Sequence, residues 1–159
     1  MPLSPAPTAS ADRIEKQLTL DVPRSRVWRA LTDVAQFNAW FGVSLTGPIT
    51  PGAAISGNLT AAKYSHVTLT IWIESLEPER FFSFRWHPFA LDTTVDYSAE
   101  PTTLVSFTLE DAPAGTRLTI VESGFDAIPE SRRAQAFSMN SGGWDGQLRN
   151  IQKYLAATA

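Results

Sequence analysis

Few side chains in this sequence are suited to acid–base or metal chemistry. The 159-residue chain contains two histidines, His66 and His87, and no cysteine, which excludes thiolate ligands and cysteine nucleophiles. A zinc site would therefore need carboxylates to complete its ligands, and the motifs of nucleotide-binding loops, serine hydrolases and zinc proteases are missing. We predict no metal, no cofactor and no catalytic residue, which favours a protein that is not an enzyme.

His87 has the most informative position of the titratable residues, because it lies between Trp86 and Pro88 at the end of a predicted strand. If that strand end opens into a cavity, the imidazole could act as a general base or bind a ligand. In the alternative, which we favour, His87 is bonded to the backbone or to solvent.

Two further polar groups each allow two interpretations. Arg85 and Glu122 lie in the middle of predicted strands, so they form either a polar anchor inside a pocket or a cross-strand pair on the sheet surface. We favour the surface pair. Asp92, Asp96 and Tyr97 lie in an irregular connection that is either a lid or a solvated loop, and we favour the loop.

The hydrophobic pattern predicts the elements that position these residues. Residues 14–22 form a strand, and a short helix with Val27, Trp28 and Leu31 at helical spacing follows. Asp33 is a predicted N-cap, with Gln36 as its capping-box partner, for a second short helix over about 34–40 that ends near Gly42. Alternating runs joined by short turns then predict antiparallel strands at 54–61, 66–76, 80–87, 102–110 and 116–123.

The strand at 80–87 directs Phe82, Phe84 and Trp86 to one face if it is regular. A bulge would move these side chains to the other face, so the face assignment stays open at this stage.

The last part of the chain changes to a helical period. A stripe with a spacing of three or four positions predicts one helix about five turns long: Phe137, Ser141, Trp144, Leu148, Ile151 and Leu155. Gly142 and Gly143 lie inside it, where each glycine costs about 0.5–1 kcal/mol relative to alanine. We expect a bend, a break or a close approach of the backbone to another group there, and a wider gap beside Trp144.

The simplest packing lays the long helix across the one apolar face of the sheet. This predicts an α+β helix-grip fold, in which a curved six-stranded antiparallel sheet wraps around the C-terminal helix and two short helices follow strand 1. Residues 13–157 would form a single domain, and residues 1–12, rich in Pro, Ala and Ser, a disordered lead-in.

The aromatic residues either fill the core or line a ligand cavity between the sheet and the long helix. Because ligand sites are concave and mostly apolar, we favour the cavity. Its predicted ligand-binding residues are Phe37, Trp40, Phe41, Ile71, Phe84, Trp86, His87, Phe107, Phe137 and Trp144.

Charge and hydropathy narrow the classes of partner. The net charge of −3 argues against a nucleic-acid-binding face, and no apolar run approaches the roughly 18 residues that a membrane span requires. The first residues show no basic and apolar signal-peptide pattern, so we expect a cytoplasmic protein.

Four segments resemble one known superfamily: "VPRSRVWRALTDVAQFNAWFG", "EPERFFSFRWHP", "GTRLTIVESGF" and "NSGGWDGQLRNIQKYL". They are similar to the SRPBCC (START-like, birch-pollen-allergen-like) superfamily. Within it, the chain looks like the branch named for the C-terminal domain of the activators of the 90-kDa heat-shock chaperone ATPase. The resemblance covers roughly residues 14–156 and implies the helix-grip fold. It does not select one function, because the superfamily includes carriers, receptors, cyclases and co-chaperone domains.

Three functions stay open, and we favour the first. The protein binds a small apolar or aromatic molecule in the cavity, acts as a stand-alone co-chaperone-like interaction module with a chaperone partner, or is a cyclase- or hydrolase-type enzyme that uses the same cavity. A membrane or nucleic-acid partner is not expected. An exposed sheet edge allows either a monomer or a homodimer.

Overall fold

The computed structural model describes residues 12–158, and the first eleven residues of the expected lead-in lie outside this range. Asp12, the last residue of that lead-in, accepts hydrogen bonds from the backbone N–H groups of Gly124, Phe125 and Asp126. The strands are β1 (Arg13–Leu20), β2 (Ala54–Asn58), β3 (Thr68–Glu77), β4 (Phe81–Trp86), β5 (Thr103–Ala112) and β6 (Gly115–Ser123). The helices are α1 (Arg24–Thr32), α2 (Val34–Phe41) and α3 (Glu130–Ala157), with short 3-10 turns at Ala62–Tyr64 and Phe125–Ala127.

All six strands form one antiparallel sheet in the order β1-β6-β5-β4-β3-β2. The sheet is curved and open, and the long helix α3 packs on its apolar face. The α+β helix-grip prediction is therefore confirmed.

The break between the two short helices has the predicted N-cap, but the predicted capping box is wrong. The Gln36 side chain accepts from Arg26 Nη1, and the Asp33 N–H donates to the carbonyl oxygen of Arg29. The side chain of Asp33 accepts a hydrogen bond from the backbone N–H of Gln36, so Asp33 caps α2. Gly42 ends α2 with a φ of 89°, a left-handed conformation that glycine adopts without a steric penalty. This stop positions Phe41 at the end of the helix, next to the gap between sheet and α3.

The face assignment of β4 is settled by its burial. Phe82 and Phe84 are fully buried and Trp86 is 9% exposed, so the three side chains share the inner face. The irregularity in this part of the sheet lies in β3, between Ile73 and Ser75, and leaves β4 regular.

The double glycine in α3 does not break the helix, which corrects one expectation. Residues 130–157 form one uninterrupted helix. A Cβ placed on Gly142 or Gly143 would meet no atom of residues 12–158 within 4 Å beyond the helix backbone, so neither glycine serves a close approach to these residues. Both are exposed, because Trp144, Leu148 and the apolar residues after them make the contact with the sheet.

Candidate ligand-binding site

A cavity of about 330 Å³ opens at one end of the gap between the sheet and α3. The end of α2, the connection after β2, the end of β4 and the middle of α3 form its walls. Most lining residues are apolar or aromatic: Phe41, Leu59, Ala61, Tyr64, Leu69, Trp86, Phe89, Leu91 and Met139. Gly42, His87, Asn140 and Gln147 complete the wall.

A second cavity of about 90 Å³ lies beside the first. Phe41, Trp86, Asn140 and Gln147 line both cavities, and the smaller one also reaches Gly143 and Trp144. The four shared residues therefore form a common wall between the two spaces.

Behind this wall lies Glu122 of β6, whose side chain is completely buried. Its Oε2 accepts hydrogen bonds from Trp86 Nε1 at 2.8 Å and from Thr103 Oγ1 at 2.6 Å. Its Oε1 accepts one from Trp144 Nε1 at 2.8 Å, and Asn140 Nδ2 lies 3.0 Å and 3.1 Å from the two oxygens. Every partner donates, which is the pattern that an ionised carboxylate requires.

This cluster links four elements of the fold, because its members come from β4, β5, β6 and α3. Burying a carboxylate is expensive unless its oxygens are hydrogen-bonded, and here both oxygens are. The bonds fix the two indole rings and the Asn140 carboxamide at the cavity wall.

Three aromatic rings border the two cavities: Phe41 and Trp86 in the common wall, and Trp144 in the smaller cavity. The rings of Trp86 and Trp144 have centroids 5.7 Å apart and planes inclined by 25°. The ring of Phe41 meets them edge-on, with centroids 6.0 Å from Trp86 and 6.2 Å from Trp144. The wall therefore presents flat apolar surface to the cavity.

His87 lines the larger cavity and is also bonded to the backbone. Its Nε2 lies 3.1 Å from the carbonyl oxygen of Glu100, which only accepts, so Nε2 carries the proton. Its ring also packs edge-on against Trp72, with centroids 5.4 Å apart. The backbone bond agrees with the interpretation that we favoured for this histidine.

The predicted surface pair of Arg85 and Glu122 is wrong. Arg85 Nε donates to Glu74 Oε1 at 2.9 Å on the outer face of the sheet, whereas Glu122 is buried on the inner face. Arg85 lies in β4 and Glu122 in β6, so β5 also separates the two residues. Phe84 and Trp86 point inward, and alternation directs Arg85 outward.

The connection after β4 covers one side of the cavity and is tied to α3 by Arg132. Arg132 Nε donates to Glu100 Oε1 at 2.8 Å, and its Nη1 donates to the carbonyl oxygen of Pro88 at 2.7 Å. Arg132 Nη2 also lies 2.8 Å from that Glu100 oxygen, as an ion pair without hydrogen-bond geometry. The guanidinium carbon lies 4.8 Å from the ring centroid of Tyr97.

Two aspartates stabilise local turns in the same connection. Hydrogen bonds from the side chain and the backbone N–H of Thr94 lower the pKa of Asp92. The equivalent bonds from Ser98 lower the pKa of Asp96, and the nearby His87 adds a smaller electrostatic effect in the same direction. These carboxylates serve the loop, since neither lines the cavity of about 330 Å³.

The ten residues predicted for the cavity fall into two groups. Phe41, Trp86 and His87 line the larger cavity, and Trp144 lines the smaller one. The others lie away from both cavity walls: Phe37, Trp40, Ile71, Phe84 and Phe107 are buried in the core, and Phe137 packs against Phe125 with ring centroids 5.2 Å apart.

Sequence reasoning missed most of the lining residues. Leu59, Ala61, Tyr64, Phe89 and Leu91 lie in connections, where no periodicity indicates their direction. Asn140 was detectable, because it lies one helical turn before Trp144. Glu122 was detectable too, since it follows the inward-facing Leu118 and Ile120 at the same two-residue spacing.

None of the helices among residues 12–158 combines the length and the apolar composition that crossing a membrane would require.

Solved structures with the same fold are numerous. Protein MLL2253 from Mesorhizobium loti is 24% identical, with a TM-score of 0.73, and the match covers 92% of this chain and 98% of that one. A protein from Rhodobacter sphaeroides is 25% identical, with a TM-score of 0.70 over 94% and 95% of the two chains. DynU16, a protein in the dynemicin biosynthetic locus, is 25% identical, with a TM-score of 0.68 over 91% of this chain and 47% of DynU16.

A comparison with curated proteins gives no significant match. The family model described as "Activator of Hsp90 ATPase homolog 1-like protein" matches residues 21–156, which is most of the sequence. The match and the shared fold confirm the resemblance to this branch of the SRPBCC superfamily. The chain belongs to the family of activator of Hsp90 ATPase homolog 1-like proteins.

Proposed function

We propose that the domain formed by residues 13–157 binds a small apolar or aromatic molecule in the cavity between the sheet and α3. The observation that carries this proposal is the cavity of about 330 Å³, bounded by aromatic rings and by a few polar groups. Its volume lies at the lower end of the range for small-molecule sites, about 300–1,000 Å³. The ligand is therefore a compact molecule of one or two rings.

The cluster of the Phe41, Trp86 and Trp144 rings supports the aromatic character of the ligand. Aromatic rings prefer offset-stacked or edge-on contacts, and the common wall offers indole and phenyl surface for both. The indoles are held by a buried carboxylate, so a ligand does not have to order them.

DynU16 adds limited support, because it lies in a biosynthetic locus and shares this fold.

Isothermal titration calorimetry with 2-naphthol, 2-methoxynaphthalene and naphthalene tests the proposal. We expect saturable binding of at least one of the three compounds. The variant Ala61→Phe should weaken this binding at least tenfold, because Ala61 lines the cavity and a phenyl ring would occupy part of it.

Ala62→Phe is the matched control. Ala62 is also exposed, carries the same side chain and lies outside the cavity wall, so its substitution should leave binding unchanged. No saturable heat with any of the three compounds, or equal weakening in both variants, would contradict the proposal.

The family match supports a second candidate function, which is contact with a 90-kDa heat-shock chaperone. Measuring the ATPase rate of a purified 90-kDa chaperone with and without this protein tests it. Stimulation that Ala61→Phe does not alter would assign this function to a surface other than the cavity.

An enzyme of the cyclase or hydrolase type would use the same cavity. Product analysis of the calorimetry mixtures tests for turnover.

A further inference from the structure

Glu122 determines the orientation of the Asn140 carboxamide at the cavity wall. Asn140 Nδ2 lies 3.0 Å and 3.1 Å from the two Glu122 oxygens. An amide nitrogen donates and a carboxylate accepts, whereas the reversed amide would direct its carbonyl oxygen at two acceptors. The carboxylate therefore selects which end of the amide is left for other partners.

The remaining end is Asn140 Oδ1, which has an unused acceptor capacity. Among residues 12–158, no side chain or backbone group donates a hydrogen bond to this oxygen. Asn140 lines both cavities, and a carboxamide oxygen can accept two hydrogen bonds. The common wall thus contains a fixed acceptor beside aromatic surface.

Gln147 lines the same wall but has no such free end. Its Nε2 donates to the carbonyl oxygen of Phe41 at 3.0 Å, and its Oε1 accepts from Asn150 Nδ2 at 3.1 Å. Both ends of this carboxamide are engaged within the protein, so Asn140 is the better anchor for a polar group of a ligand.

We propose that Asn140 Oδ1 accepts a hydrogen bond from a hydroxyl group of the ligand. The cavity then selects neutral hydroxylated aromatic molecules over their ethers and over carboxylates. An ether has no hydrogen to donate, and an ionised carboxylate also brings a negative charge toward the buried Glu122. This inference rests on the proposed function, because it concerns the same cavity.

A ligand series tests the inference on the unmodified protein. We expect 2-naphthol to bind about three- to tenfold more tightly than 2-methoxynaphthalene, the usual worth of one hydrogen bond. The anion 2-naphthoate should bind more weakly than 2-naphthol. Equal or tighter binding of the ether or the anion would overturn the inference, while the absence of binding by all naphthalenes would overturn the proposed function itself.

Asn140→Leu separates the hydrogen bond from other differences between the two ligands. In this variant the preference for 2-naphthol over 2-methoxynaphthalene should disappear, because a leucine of similar size has no acceptor. Gln152→Leu is the control, since Gln152 also carries a carboxamide, lies on the same helix, is exposed and lies outside both cavities. A preference that survives in Asn140→Leu would contradict the role of Asn140.

The indole N–H resonances give a second readout that needs no variant. Addition of 2-naphthol should shift the Trp86 and Trp144 resonances in a proton–nitrogen NMR spectrum, because both indoles and Asn140 share Glu122. Trp40 donates to the carbonyl oxygen of Ala30 in the core and should not shift. Shifts confined to other tryptophans would place the ligand elsewhere and overturn the inference.

Discussion

The gap between the sheet and α3 has a packed half and an open half, both built from aromatic residues. In the packed half, Phe37, Phe82, Phe84 and Phe107 are fully buried, and Phe82 stacks on Phe107 with ring centroids 5.6 Å apart. In the open half, Met139 is 48% exposed, and connections rather than helices form part of the wall. Aromatic composition therefore does not decide where a cavity lies.

The two halves differ in the type of side chain that α3 directs at the sheet. Toward the C-terminus of α3, Leu148, Ile151 and Leu155 fill the space. In the middle of α3, Asn140 and Gln147 face the gap, and the exposed Gly143 contributes no side chain. Small and polar residues at these helix positions leave the space that the aromatic rings border.

The largest predicted change in the free energy of unfolding comes from removing a packed ring. Phe84→Ala in the packed half should lower the free energy of unfolding by about 3–5 kcal/mol, because it leaves a cavity among buried rings. Leu91→Ala in the wall of the open half should cost about 1 kcal/mol or less, because Leu91 already borders empty space. Urea unfolding measures both, and equal losses would mean that the two halves are packed alike.

A smaller loss of stability is expected from a substitution of Glu122, which lies behind the common wall. Glu122→Gln should lower the free energy of unfolding by about 1–3 kcal/mol, because glutamine has one acceptor oxygen and leaves an indole N–H without a partner. Glu74→Gln, on the outer face, should change it by less than about 1 kcal/mol. If both substitutions have the same effect in urea unfolding, the buried cluster contributes little.

Substitutions of the two glycines of α3 should raise the stability, whereas the substitutions above lower it. Gly142→Ala and Gly143→Ala should each raise the free energy of unfolding by about 0.5–1 kcal/mol, because neither added Cβ meets a neighbour. Only Gly143 lines the smaller cavity, so only Gly143→Ala should also weaken 2-naphthol binding. Thermal unfolding and calorimetry measure the pair, and identical binding by both variants would exclude the smaller cavity from the site.

The smallest effect is the pH dependence of the connection that covers the open half. Hydrogen bonds from Thr94 and Ser98 lower the pKa of Asp92 and of Asp96 from the ordinary aspartate value. A lowered pKa means that this stabilisation is present at neutral pH and is lost as the pH falls below the ordinary aspartate value. The amide exchange rates of Thr94 and Ser98 should therefore rise at acidic pH relative to the exchange rates of amides in the packed half. A ratio of these rates that does not change with pH would contradict this prediction.

The sequence predicted the elements better than the space between them. Asp33, Gly42 and the alternation in β4 are local signals, and local signals determine helix ends and strand faces. They place Phe84 and Trp86 equally inward, yet only Trp86 borders the cavity. Which inward side chain meets a neighbour depends on the path of distant connections, and no period in the sequence records that path.

Glu122 shows a different limit of sequence reasoning. Alternation with the buried Leu118 and Ile120 directs it inward, whereas a charged residue in a strand is usually at the surface. The donors that stabilise it come from Trp86, Thr103, Asn140 and Trp144, which are remote in sequence. A buried charge is predictable only when its partners are known.

The pairing of the first strand with the last has a consequence for synthesis on the ribosome. Within residues 12–158, β1 lies at an edge of the sheet and its one strand partner is β6, where Ile14 lies opposite Glu122. At usual translation rates, about 5–20 residues per second, β1 emerges roughly 5–20 s before its partner strand is made. During that interval β2 to β5 can already pair with one another, and β1 must stay free of other strands until β6 arrives.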